Sequence, residues 1–115
     1  MTPGRVNFIC PQGSTFNRRV TYKIDETPVN LTGYSSRLQV REAHYSTSTI
    51  ADLTSSNGGI TLGGSAGTID ILIGASATAL FDAGTFVYDL EIESVSGIVD
   101  RLIEGSFIIT PEVTR

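Results

Sequence analysis

His44, Cys10 and a set of carboxylates, Asp89, Glu91 and Glu93 with Asp100 and Glu104, are the side chains whose types could do chemistry. A nucleophilic triad needs a histidine as base. His44 is the only one, and it stands where an alternating segment gives way to a Ser/Thr-rich stretch. That is the setting of a surface histidine. A cysteine is nucleophilic only beside a group that lowers its pKa. Cys10 ends a short apolar segment before Pro11, the setting of a small core or half-buried residue. One histidine and one cysteine far apart in the chain do not make a zinc site. No catalytic, cofactor-binding or metal-binding residues are expected.

The carboxylates are more informative. Asp89, Glu91 and Glu93 recur at period two, so a strand would place them on one face. Asp100 and Glu104, on the next apolar-rich segment, are expected to face them across a hairpin. Like charges opposed across strands are mildly destabilising. Arg101, the Arg37/Arg41 pair, a partner subunit or a cation must then offset them. Calcium sites draw several converging oxygens, mostly from loops. A glycosidase pair needs a cleft lined with aromatics, and this chain has no Trp. Gly63-Gly64-Ser65-Ala66-Gly67 lacks the Lys and following helix of a phosphate loop. An enzyme is not expected.

The elements that position these groups are strands. Period-two alternation predicts a short strand over 6–10 and a clearer one over 16–24, with Phe16, Val20, Tyr22 and Ile24 on one face. Arg18 interrupts that face near its start, which predicts a sheet margin. Asp25-Glu26-Thr27-Pro28 reads as a turn. A strand over 34–42 puts Tyr34, Ser36, Leu38 and Val40 together and Arg37, Gln39 and Arg41 opposite. Residues 43–59 read as a loop, a candidate contact arm ordered only on assembly. Shorter strands follow over 60–62 and 68–73, joined by a flexible glycine-rich connection. A helical turn is expected from Ser76, as cap, to Phe81, with Gly84 as its end. Phe86, Tyr88, Leu90 and Ile92 mark the best strand. A last strand runs over 98–109, where Gly105 suggests a bulge or bend.

About seven short strands joined by Gly-, Ser- and Pro-rich turns are the signature of an all-β, antiparallel β-sandwich with one short helical turn. The 115 residues allow one domain, 1–115, with a core that needs no disulfide. The first residues lack an apolar signal segment, and no apolar run reaches the roughly 18 residues of a membrane span. A protein made and kept in a cytosol-like space is expected, with no membrane partner.

Net charge is −4, unevenly spread. Residues 1–41 carry six basic groups (Arg5, Arg18, Arg19, Lys23, Arg37, Arg41) and two acids; residues 42–115 carry two basic groups and ten acids. Either the two parts neutralise each other within one fold, or one copy's basic part meets another's acidic part. Arg18, Arg19, Arg37, Arg41, Asp89, Glu91 and Glu93 are therefore the candidate protein-contact residues. Exposed edge strands are further docking points. An acidic chain without a basic run is a poor nucleic-acid binder.

Several short pieces occur in a recognisable order. They are Gln12-Gly13-Ser14-Thr15-Phe16, then Val29-Asn30-Leu31-Thr32-Gly33-Tyr34 leading into Arg37-Leu38-Gln39-Val40-Arg41. Ile69-Asp70-Ile71, Ala77-Thr78-Ala79-Leu80 and Val87-Tyr88-Asp89-Leu90-Glu91-Ile92 follow, and Gly97 with 99–105 closes the set. The set resembles small virion proteins of tailed bacteriophages. It is also similar to the immunoglobulin-like N-terminal domain of phage upper baseplate proteins. The resemblance implies an immunoglobulin-like sandwich that packs in rings or trimers on the tail, the baseplate or the capsid. It implies contacts with other copies and with other tail, baseplate or capsid proteins, and a place in the virion. It supplies no catalytic residues. A tail or baseplate adaptor is the expected role. A capsid decoration protein and a carbohydrate- or ligand-binding sandwich module are the alternatives.

Overall fold

The computed structural model describes residues 3–114. In chain order the strands are β1 (Gly4–Arg5), β2 (Phe8–Pro11), β3 (Phe16–Thr21), β4 (Lys23–Ile24), β5 (Thr27–Pro28), β6 (Ser35–Arg41), β7 (Ala51–Thr54), β8 (Ile60–Leu62) and β9 (Thr68–Ile73). A short helix α1 (Ala75–Thr78) precedes β10 (Gly84–Glu93) and β11 (Val99–Thr110). The larger sheet has the order β1-β11-β10-β6-β7, with β2 also on β11; the smaller is β3-β9-β8. This is an all-β sandwich. β3, β9 and β8 take the places of B, E and D in an immunoglobulin sandwich, and β6, β10 and β11 those of C, F and G, with β7 as C′.

Alternation puts one face of each sheet inside. Leu38, Val40, Leu90, Ile92, Phe107 and Ile109 of the large sheet meet Phe16, Ile69, Ile71 and Ile73 of the small one, all buried. Aromatics of β2, β3 and β11 join the two sheets. The Phe16 ring lies 5.5 Å from Phe8 and 5.2 Å from Phe107, centroid to centroid. Such pairs add about 0.5–1.5 kcal/mol each beyond burial. Cys10 is a core residue, as its setting indicated: it is buried on β2, and burial pushes its thiol pKa up.

Several expectations need correction. The loop over 43–59 contains β7, antiparallel to β6, with Ala51 and Leu53 buried. It is not an arm that waits for a partner. The 16–24 strand is two strands, because Tyr22 donates its N–H to Gly67 and accepts from Val29. Asp25 and Glu26 then turn the chain between β4 and β5 with φ of 50° and 66°. The Gly63–Gly67 connection is a packed 3-10 turn whose Gly64 and Gly67 carbonyls accept from Leu31 and Tyr22. The helix begins at Ala75 with Gly74, not Ser76, at its cap position, and Gly84 opens β10. The sheets are not wholly antiparallel: β1 and β2 run parallel to β11.

The bulge in β11 is not at Gly105. Leu90 pairs with Ile103 but Glu91 pairs with Arg101, so Leu102 is the extra residue. Leu102 and Ile103 are accordingly both buried. Gly105 answers a different need. A Cβ there would lie 2.2 Å from the Val6 carbonyl oxygen, so its absence lets the N-terminal segment cross close by.

Candidate protein-contact face

The outer face of the large sheet is built from β6, β10 and β11. On β6 it carries Arg37, Gln39 and Arg41; on β10, Val87, Asp89, Glu91 and Glu93; on β11, Arg101 and Glu104. Register sets the contacts. Glu91 lies between Arg37 and Arg101, while Asp89 lies between Gln39 and Glu104. Asp89 and Glu104 are thus like charges directly opposed, the arrangement that needs an offset. Arg101 supplies it. Its guanidinium reaches Asp89 at 3.3 Å and Glu104 at 3.2 Å, using the forked donors a lysine lacks. Arg37 pairs with Glu91 at 3.0 Å, and Arg5 approaches Glu104 at 3.8 Å. Arg41 donates to Gln39 and to the Ser46 carbonyl, which pins the start of the β6–β7 connection.

Burial lifts the Asp89 carboxyl above its ordinary pKa; Arg101 opposes this, and Glu91 and Glu104 add to it. His44, an exposed residue after β6, lines a shallow furrow here with Gln39, Arg41, Asp89, Arg101 and Glu104. Glu93 makes no ion pair among the described residues.

The structure brings Arg37, Arg41, Asp89, Glu91 and Glu93 onto one face. It leaves Arg18 and Arg19 elsewhere. Arg19 lies on the outer face of the small sheet, paired through two bonds of 2.6 and 3.0 Å to Asp70. That pairing holds the Asp70 carboxyl below its usual range. Arg18 sits at the margin of the small sheet, as its break in the apolar pattern indicated. Its guanidinium lies 4.6 Å from the Phe16 ring centroid and donates to the Ile9 carbonyl at 3.1 Å.

Asp100 is a correction. It pairs in register with Ile92, so it lies on the inner side of β11, where its charge adds to burial in raising the Tyr22 phenol. Arg5 and Gln39 belong to the face and were not singled out by sequence. Gln39 was legible by its place between Arg37 and Arg41. Arg5 had no signal, because β1 has only two residues.

Three of these pairs, Arg19–Asp70, Arg37–Glu91 and Arg5–Glu104, join the basic first third to the acidic remainder within one fold. Among the described residues no group of three or more His, Cys, Asp or Glu side chains is placed to hold a metal ion, and no helix is long and apolar enough to cross a membrane. No protein-family model matches this chain, and no curated protein matches it.

Proposed function

We propose that this chain is a non-enzymatic structural subunit of a tailed-phage virion, a tail or baseplate adaptor component that acts through repeated protein–protein contacts. The outer face of the large sheet carries the proposal. Its ion pairs lie at the surface, between exposed arginines and half-buried carboxylates. An exposed pair is worth about 0–1 kcal/mol, so trading an internal partner for an external one costs little. Arg37, Arg41, Arg101, Asp89, Glu91 and Glu93 can therefore serve both the free subunit and a contact. A neighbour with the opposite order of charges is selected, and like charges in the wrong register are rejected.

The ordered motifs that carry the resemblance also hold the fold together. Gln12 donates to the Phe81 carbonyl and accepts from the Glu112 N–H, tying both ends of the chain to the turn after α1. Thr78, buried, donates to the Ser14 carbonyl at 2.8 Å. Leu31 anchors the connection into β6.

The test is direct. Particles of a phage encoding this chain, labelled with antibody raised against it, should carry gold at the tail or baseplate. Label on the capsid alone would move the role to decoration. Particles without label, by microscopy and by mass spectrometry, would end the proposal.

A further inference from the structure

The free edge of the large sheet at β7 carries a side chain in the position of a missing strand. In a strand, one residue turns its N–H and C=O to one side and the next turns them to the other. On β7, Asp52 and Thr54 turn theirs away from β6. The Asn57 amide nitrogen donates to the Asp52 carbonyl at 3.0 Å, and its oxygen accepts from the Thr54 N–H at 2.9 Å. Bonding to the carbonyl of one residue and the N–H two further on is what a single residue of a parallel neighbour does. The same oxygen accepts from the Gly59 N–H, and the Thr54 hydroxyl accepts from the Asn57 N–H. The amide is thus held on both sides.

The turn sequence is built for this. Gly58 has a φ of 86°, which reverses the chain, and Gly59 passes so close to Leu53 that a Cβ there would lie 2.8 Å from the Leu53 Cβ. The opposite edge is blunted as well. On β2, Arg18 takes the Ile9 carbonyl, Ser14 takes the Pro11 carbonyl, and Pro11 has no N–H to offer. Of the edge strands expected as docking points, β7 and β2 of the large sheet thus have part of their outward backbone covered.

We propose that Asn57 is a strand surrogate that closes the β7 edge against a second copy of this chain. Unpaired edges template pairing with another copy, and β7 flanks a core strand with its buried Ala51 and Leu53 already in register. Without the amide, an extended segment of a second copy can take the same two backbone groups. Contacts between copies are thereby directed away from sheet extension.

Asn57→Ala and the parent protein should be compared by light scattering across concentration at high salt, where contacts through charged faces are screened. The variant is expected to gain mass with concentration while the parent does not, and the Thr54 amide should exchange at least tenfold faster in the dilute variant. If Asn57→Ala melts at the assay temperature, Asn57→Asp keeps both acceptor contacts and loses only the donor to Asp52; a smaller gain in mass is expected, with the Thr54 amide still protected. Unchanged mass in a folded variant overturns the proposal. So does loss of fold in both variants, which would make the amide part of the fold's own stability instead of a guard.

Discussion

The Tyr88 hydroxyl donates to the Val6 carbonyl at 2.6 Å, and Tyr88 is registered opposite Gly105, the residue over which Val6 passes. Around that point β1 and β2 keep one parallel register along β11, from Gly4 opposite Ile103 to Pro11 opposite Thr110. The ladder is interrupted between the two strands. There the Asn7 side chain accepts from the Ser106 N–H at 3.0 Å in place of a backbone carbonyl. The N-terminal segment is thus held by one phenol, one amide and one missing Cβ.

Gly105→Ala is expected to detach that segment. The added Cβ meets backbone, not a flexible side chain, so Val6 must move. Overpacking of this kind costs about 1–3 kcal/mol. Amide hydrogen exchange should rise at Phe8–Cys10 and stay low in β6 and β10. Protection unchanged at Phe8–Cys10 would mean the close approach is not needed.

Tyr88→Phe should lower stability by about 1 kcal/mol, because a part-buried carbonyl loses its donor. It should also flatten the alkaline limb. Burial raises the Tyr88 phenol far above its ordinary value of 10.0. The stability it contributes is complete below that unfolded value and is lost as pH rises beyond it, since the unfolded chain ionises first. Urea midpoints on either side of pH 10 measure both effects.

Two acids should act with opposite signs at low pH. Asp70 is held below its ordinary value of 3.8 by the Arg19 hydrogen bond, so its contribution is present above that value and fades as pH falls. Asp89 is raised, chiefly by burial, so ionising it works against the fold and the loss is relieved as pH falls through its folded value. Asp70→Asn should therefore make the acid limb of stability shallower, and Asp89→Asn should make it steeper. Equal slopes in the two variants would contradict these environments.

Glu26→Gly is expected to stabilise the β4–β5 hairpin by about 1 kcal/mol. Asp25 and Glu26 both hold positive φ in a two-residue turn, where a side chain crowds the following carbonyl and glycine does not. A thermal midpoint that does not rise would show that Glu26 makes a compensating contact.

Alternation made β6, β10 and most of the core legible. Asp89, Glu91 and Glu93 could be placed on one face because β10 keeps strict period two. β7 was hidden because four residues with two small polar ones, Asp52 and Thr54, do not rise above a Ser/Thr-rich background. Asp100 and Glu104 share parity and looked cofacial. The bulge at Leu102 lies between them and turns Asp100 inward. The adjacent apolar Leu102 and Ile103 are the sequence mark of that bulge, whereas a glycine inside a strand marks either a bulge or a close backbone approach, and Gly105 is the second. Arg19 could not be separated from Arg37 by composition, since the two occupy opposite outer faces only after the sheets pack.

The outer face is most directly tested by the solution mass of the protein and of Glu93→Lys, by light scattering after size exclusion at low and high salt. Glu93 is the variant of choice because its reversal breaks no ion pair among the described residues, whereas Glu91→Lys would also set a lysine against Arg37. A discrete ring or trimer of the parent that dissociates with salt, and that Glu93→Lys weakens while melting normally, is the predicted result. A parent protein that stays monomeric at every concentration and salt, with Glu93→Lys indistinguishable from it, would contradict self-assembly through this face.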